Sequence, residues 1–250
     1  MKPLIVGNWK CNPSTLAEAE WLFKEIKNGI KNIKKAEVVV CPPFPFISNL
    51  KSKISNLKLG AQDCFWEEGG AFTGEVSPKM LKDLGVKYVI LGHSERRKYQ
   101  NETDEMINKK LKATLEFGFF PILCVGDKNR ESKKDIKEIS LQLETALRGL
   151  ERSDLSRLAI VYEPIWAIST TRGGVAAAID DVKEAVFYTK NVLVKLFGKD
   201  ITKKIRIIYG GSVNSKNAIG YIKEANFDGL LVGGASLDTK EFVKIIKAAV

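Results

Sequence analysis

Short, mainly aliphatic runs recur along the chain at residues 4–6, 38–40, 57–61, 88–91, 119–125, 158–161, 205–209 and 229–232. Runs this short and this continuous suit strands buried on both faces. Between several of them the period changes to that of an amphipathic helix: Leu16, Ala19, Phe23, Ile26 and Ile30; Ile136, Ile139, Leu143, Leu147 and Leu150; Ile179, Val182, Val186, Thr189, Leu193 and Leu196. Ser77 before Pro78 reads as an N-cap followed by proline in the first turn, and Asn12 to Thr15 as a helix start. The stretch 175–178 ahead of Ile179 offers no such cap.

Eight strand-like runs in 250 residues repeat about every thirty, the length of one strand with its crossover helix. Such alternation predicts a parallel sheet with helices outside it. An open doubly wound sheet and a closed (β/α)8 barrel both satisfy the pattern. Eight evenly spaced units, with no GxGxxG after the first run, favour the closed barrel. No proline- or serine-rich linker interrupts the chain, so residues 1–250 are expected to form a single α/β barrel domain. The connection from Gln62 to Pro78 is unusually long and carries Phe65, Trp66 and Phe72. Aromatic side chains on such a loop predict burial at a subunit interface.

Composition narrows the class. Hydrophobic residues at 44% and charged residues at 28% exclude a largely disordered chain. No apolar run reaches the length of a membrane span and no signal-peptide pattern follows Met1, so a cytoplasmic protein without membrane contact is expected. The net charge of +10 comes mostly from lysines such as Lys24, Lys27, Lys109, Lys110, Lys133 and Lys134, which lie between apolar helix positions as solvated faces do. Without interleaved aromatics it does not point to nucleic acid, although a positive field would help steer a small anion. Cys11, Cys41, Cys64 and Cys124 show no CxxC spacing, and one histidine cannot complete a usual zinc set. Reduced thiols, and no structural zinc site, are expected.

That one histidine, His93, stands where the fourth run meets a polar helix start. Alone it is more readily a turn cap than a proton carrier. A second run, however, ends on a carboxylate, Glu163, and barrel enzymes collect reactive groups where strands give way to loops. The corresponding positions hold Asn8 and Lys10 after the first run, Gln62 after the third, Glu95 beside His93 and Cys124 after the fifth. Glycine-bearing turns follow the seventh run, at Tyr209, Gly210, Gly211 and Ser212, and the eighth, at Gly233 and Gly234. Taken singly each has an ordinary explanation, as a surface lysine, a solvated carboxylate or a plain turn. Together, converging amides at the two turns make an anion site, and a carboxylate facing an imidazole and an ammonium suits proton abstraction beside a carbonyl.

The segments GNWK at 7–10, GHSERR at 92–97, YEPIWAI at 162–168, YGGSV at 209–213 and LVGGASL at 231–237 resemble the signature segments of the triosephosphate isomerase family, in the family's order and over nearly the whole chain. The resemblance implies a TIM barrel that interconverts dihydroxyacetone phosphate and D-glyceraldehyde 3-phosphate without a cofactor. It implies Glu163 as the base, His93 as the group that polarises the carbonyl, and Lys10 and Asn8 as substrate contacts. Backbone amides of Ser169, Ser212 and Gly234, with Gly233 beside them, would hold the phosphate. Glu95 would steady Lys10, and Ser94, Tyr209, Gly210 and Gly211 would support the site. A homodimer is implied as well, with Thr73, Gly74 and Glu75 entering the neighbour near its Asn8 and Lys10, and Cys11 as an interface thiol.

The chain departs from the family pattern at Ser169 and Thr171, where lid glycines stand, and at Asp127, where glutamate is commoner. A hinge moved toward Gly173 is the expected accommodation, and should Asp127 meet Trp166, its shorter side chain calls for a small backbone shift. Two rival readings remain, a barrel that binds a phosphorylated metabolite without turnover and a basic surface that recruits nucleic acid or an anionic membrane. The joint presence of Lys10, His93 and Glu163 speaks against the first. Net charge alone speaks for the second.

Overall fold

The computed structural model describes residues 1–51, 56–127, 132–167 and 176–250, with backbone alone for 132–136. Its parallel strands β1 (Leu4–Asn8), β2 (Glu37–Cys41), β3 (Leu57–Ala61), β4 (Tyr88–Leu91), β5 (Phe120–Asp127), β6 (Ala159–Pro164), β7 (Arg206–Tyr209) and β8 (Gly229–Val232) close into a barrel in chain order. The last strand pairs back onto the first, from Leu4 with Gly229 to Gly7 with Val232. Helices α1 (Leu16–Gly29), α2 (Phe44–Lys51), α3 (Pro78–Asp83), α4 (Ser94–Tyr99), α5 (Asp104–Glu116), α6 (Ser132–Ala146), α7 (Ile179–Phe197), α8 (Lys199–Thr202), α9 (Ala218–Lys223) and α10 (Thr239–Ala248) lie between them.

The unbroken apolar runs are explained by two cores. Leu4, Val6, Val39, Ile90, Ile122 and Val161 fill the barrel, while their neighbours Ile5, Val38, Val40, Val89, Leu123 and Ile160 pack under the helices. Strands run further than their apolar residues alone suggest: Asn8 is the last residue of β1, and Glu163 lies inside β6. A polar side chain at the end of a barrel strand can point into the open mouth while its backbone keeps the ladder.

Helix starts follow local chemistry. Thr15 caps α1 in a reciprocal capping box with Glu18, and Ser77 caps α3 ahead of Pro78. The α7 start at Ala178 has no side-chain cap. The α1 stripe buries Ala19, Phe23 and Ile26, but Leu16, expected to join them, is 37% exposed at the first turn.

The amino-terminal end of the barrel is closed by ions. Glu37 receives hydrogen bonds from the Tyr88 hydroxyl at 2.6 Å and from Lys58, and its other oxygen lies 2.7 Å from Arg206 Nη1. Burial alone would raise this carboxyl, but those donors overcome it and hold its pKa at about 2. In the long third connection Phe65 packs between Trp66 and Phe72, with ring centroids 4.1 and 4.7 Å away. Its tip, Thr73, Gly74 and Glu75, is exposed.

Candidate active site

The open carboxyl-terminal end of the barrel holds a cavity of about 390 Å³, lined by Asn8, Lys10, Asn12, His93, Glu163, Gly210, Gly211, Ser212, Gly233, Gly234 and neighbouring apolar residues. Lys10, two residues past the end of β1, has a φ of 54°. That left-handed backbone costs a non-glycine residue about 1 kcal/mol. Three contacts hold it: the Lys10 N–H donates to Asn8 Oδ1 at 3.0 Å, the Gln62 amide donates to the Lys10 carbonyl at 2.8 Å, and Lys10 Nζ donates to Glu95 Oε1 at 2.6 Å. Gln62 also donates to the Cys41 carbonyl at 2.8 Å, so β1, β2 and β3 converge on this lysine.

His93 caps the short α4, its Nδ1 accepting from the Glu95 N–H at 3.3 Å. A nitrogen that accepts carries no proton, which leaves the proton of the neutral ring on Nε2. Nε2 faces Glu163 Oε1 at 3.2 Å. The other carboxylate oxygen accepts from the Ser94 N–H at 3.1 Å. Both side chains are buried, Glu163 at 2% and His93 at 7% exposure. Preceding His93, Gly92 has a φ of 69°, and a Cβ there would meet Ile107 at 2.8 Å, so only glycine makes this turn without strain.

Across the cavity are the two glycine turns. Ser212 ties its hydroxyl to the Ala167 carbonyl at 2.9 Å, joining the β7 turn to the segment after β6. Among the described residues no hydrogen bond engages the N–H of Ser212 or of Gly234, and a Cβ at Gly234 would meet nothing within 4 Å. Gly211 is required by its neighbour, because a Cβ there would lie 2.1 Å from the Tyr209 hydroxyl. Tyr209 stacks on Tyr221 at 3.9 Å, and burial pushes its phenol well above the usual range.

Lys10, His93, Glu163, Asn8, Ser212, Gly233 and Gly234 thus share one cavity. Ser94 and Glu95 reach it as hydrogen-bond partners of Glu163, His93 and Lys10. Thr73, Gly74 and Glu75 do not line it. Ser169, Thr171 and Gly173 lie outside the described residues. Asp127 does meet Trp166, whose Nε1 donates to Oδ2 at 3.3 Å. Cys124 is fully buried with its thiol pushed up chiefly by desolvation, which makes it an interior packing residue. Leu231 and Leu237, the two ends of the LVGGASL segment, also line the cavity, a role the sequence did not assign them, since an aliphatic side chain looks alike whether it faces core or cavity. Among the described residues no group of three or more His, Cys, Asp or Glu side chains is placed to hold a metal, and no helix is long and apolar enough to cross a membrane.

Ionisable groups gathered at the carboxyl ends of parallel barrel strands, around a cavity sized for a small metabolite, define a (β/α)8-barrel enzyme. The sequence model of the family described as Triosephosphate isomerase matches residues 3–249. The triosephosphate isomerase of Carboxydothermus hydrogenoformans is 46% identical over 253 residues, covering 100% of this chain and 99% of its own length. That of Thermoanaerobacter pseudethanolicus is 46% identical over 98% of both chains, and that of Dictyoglomus turgidum 43% identical over 99% of both. The chain belongs to the triosephosphate isomerase family and is an isomerase.

Proposed function

We propose that residues 1–250 act as one domain that interconverts dihydroxyacetone phosphate and D-glyceraldehyde 3-phosphate through an enediol or enediolate, in glycolysis and gluconeogenesis. The observation that carries this reading is the pairing of Glu163 Oε1 with His93 Nε2 at 3.2 Å in the wall of a cavity whose other side is two glycine turns. A site that only bound phosphate would need no such pair.

In this reading the Ser212 and Gly234 amides, joined by that of Ser169, hold the substrate phosphate, with Gly233 leaving room for it. The three-carbon chain then reaches across to Glu163. The carboxylate leaves the Ser94 N–H, takes the proton from one carbon and returns it to the next. His93 turns its Nε2 proton to the carbonyl oxygen, and Lys10 Nζ, oriented by Glu95, balances the negative charge that grows there. Asn8 fixes the Lys10 backbone and the substrate hydroxyl side, while Ser94, Tyr209, Gly210 and Gly211 keep the walls in place. No metal or organic cofactor is needed for a proton shuttle between adjacent carbons.

The exposed tip at Thr73, Gly74 and Glu75, beside a partly exposed aromatic cluster, supports a homodimer in which this loop enters the partner near the exposed Cys11. A cytoplasmic location accords with the free thiols, and neither nucleic acid nor membrane is part of the reading.

Glu163→Gln tests the mechanism. Turnover of glyceraldehyde 3-phosphate should fall by about 10³-fold while inhibition by inorganic phosphate stays within about twofold, the scale of a lost general base. Unchanged turnover would remove Glu163 from the role of base.

A further inference from the structure

Strand β4 pairs with β5 from Tyr88 opposite Phe120 to Leu91 opposite Leu123, and then its chain turns away into Gly92 and His93. Strand β5 runs on to Asp127 beside β6, in register with Glu163 at Gly126 and with Pro164 at Asp127. The edge of β5 that β4 has left would expose backbone polar groups in a buried place. Two side chains cover it. Arg97 Nη2 donates to the Cys124 carbonyl at 3.3 Å, and Gln142 on α6 takes Gly126 at both ends. The Gly126 N–H donates to Gln142 Oε1 at 3.0 Å, and Gln142 Nε2 donates to the Gly126 carbonyl at 2.9 Å. A carboxamide carries the donor and acceptor of a peptide group, so Gln142 stands in for the missing residue of β4. It is 6% exposed.

What Gln142 clasps is the backbone that supports the base. A Cβ on Gly126 would lie 1.9 Å from the Glu163 carbonyl oxygen and 3.2 Å from Glu163 Cβ, so nothing separates the two main chains. The next residue, Asp127, accepts from Trp166 in the turn that follows β6. We infer that Gln142 is a positioning residue for the isomerisation: its side-chain amide completes β5 beyond the end of β4 and so fixes the height of Glu163 against the substrate. This rests on the reading of Glu163 as the base. Proton transfer tolerates little misplacement, about 1 Å costing on the order of 10²-fold, so loss of the clasp should appear in kcat. The phosphate turns follow β7 and β8, and KM should move little.

Two variants test it. Gln142→Met fills the same volume without the polar pair, and should lower kcat by at least about tenfold with KM for glyceraldehyde 3-phosphate and inhibition by inorganic phosphate within about twofold. A folded Gln142→Met protein with wild-type kcat overturns the inference, as does a loss confined to KM. Gln142→Glu keeps the shape and carries the test should the first variant fail to fold. Ionised, it sets an acceptor against the Gly126 carbonyl; protonated, it restores one donor and one acceptor. Burial and the neighbouring Glu138, whose Oε1 lies 3.5 Å from Gln142 Nε2, favour protonation as the pH falls. The kcat deficit of Gln142→Glu relative to the native enzyme should therefore shrink as pH is lowered from about 8 to 5, and a deficit independent of pH overturns the inference. If Glu163→Gln abolishes turnover while both Gln142 variants behave as the native enzyme, this inference fails and the assignment of the base stands. If Glu163→Gln is active, the assignment itself fails.

Discussion

Gly210 limits where the base can be. A Cβ at that position would sit 2.4 Å from Val161 Cγ1 and 3.0 Å from Glu163 Cγ. Val161 is a β-branched residue in the barrel interior and cannot swing aside, so the added methyl displaces either β7 or the carboxylate. Gly210→Ala is expected to destabilise the protein by about 1–3 kcal/mol, the usual cost of overpacking, and to lower kcat by about tenfold or more. Urea unfolding and steady-state assays of the same preparation separate the two effects, and native kcat in the alanine variant would show that the wall is softer than the contacts indicate. Lys10 illustrates a different economy at this scale. Its backbone sits in a sparsely populated region and is held by Asn8, Gln62 and Glu95. The sequence marked all four as chemical groups after strands, but not that three of them serve the conformation of the fourth, because contacts between residues as far apart as 10 and 62 have no local signature.

Among elements, the apolar runs and their spacing carried the barrel. Eight strands appear where eight runs stand, and the closure is the one the even spacing favoured. Boundaries were less legible. β5 continues through Gly126 and Asp127, and β6 through Glu163 and Pro164, because backbone pairing outlasts the apolar side chains that announce a strand. Of the short helices, α4 was marked only by its polar start after His93 and α9 not at all, since six residues do not complete two turns of a stripe. Gln142 was hidden for another reason. On α6 it reads as an ordinary polar helix residue, and its role depends on where a neighbouring strand stops. The Glu37 cluster joins four strands and makes a testable contribution. Its folded pKa of about 2 lies below the ordinary 4.5, so ionised Glu37 stabilises the barrel above that ordinary value, and the contribution is lost as pH falls towards 2. Glu37→Gln should cost about 2 kcal/mol at neutral pH and flatten the acid limb of stability between about pH 5 and 2. Urea midpoints measured across that range would show it, and parallel curves for the two proteins would deny Glu37 this part in acid stability.

A closed barrel leaves no strand edge for another chain to extend. The hoop is not equally strong all the way round. Six residue pairs join β5 to β6, whereas the register between β7 and β8 comprises Tyr209 with Leu230 alone. At that joint the Asp228 side chain accepts from the Ile207 N–H at 3.0 Å, and the Asp228 N–H donates to the Ile207 carbonyl at 2.7 Å. A ring under thermal load parts where the fewest links cross it. The amides of β7 and β8 should therefore exchange with deuterium sooner than those of β5 and β6, and because the glycine turns of the anion cradle grow from those same two strands, a bound phosphate should act as a rivet that slows the exchange.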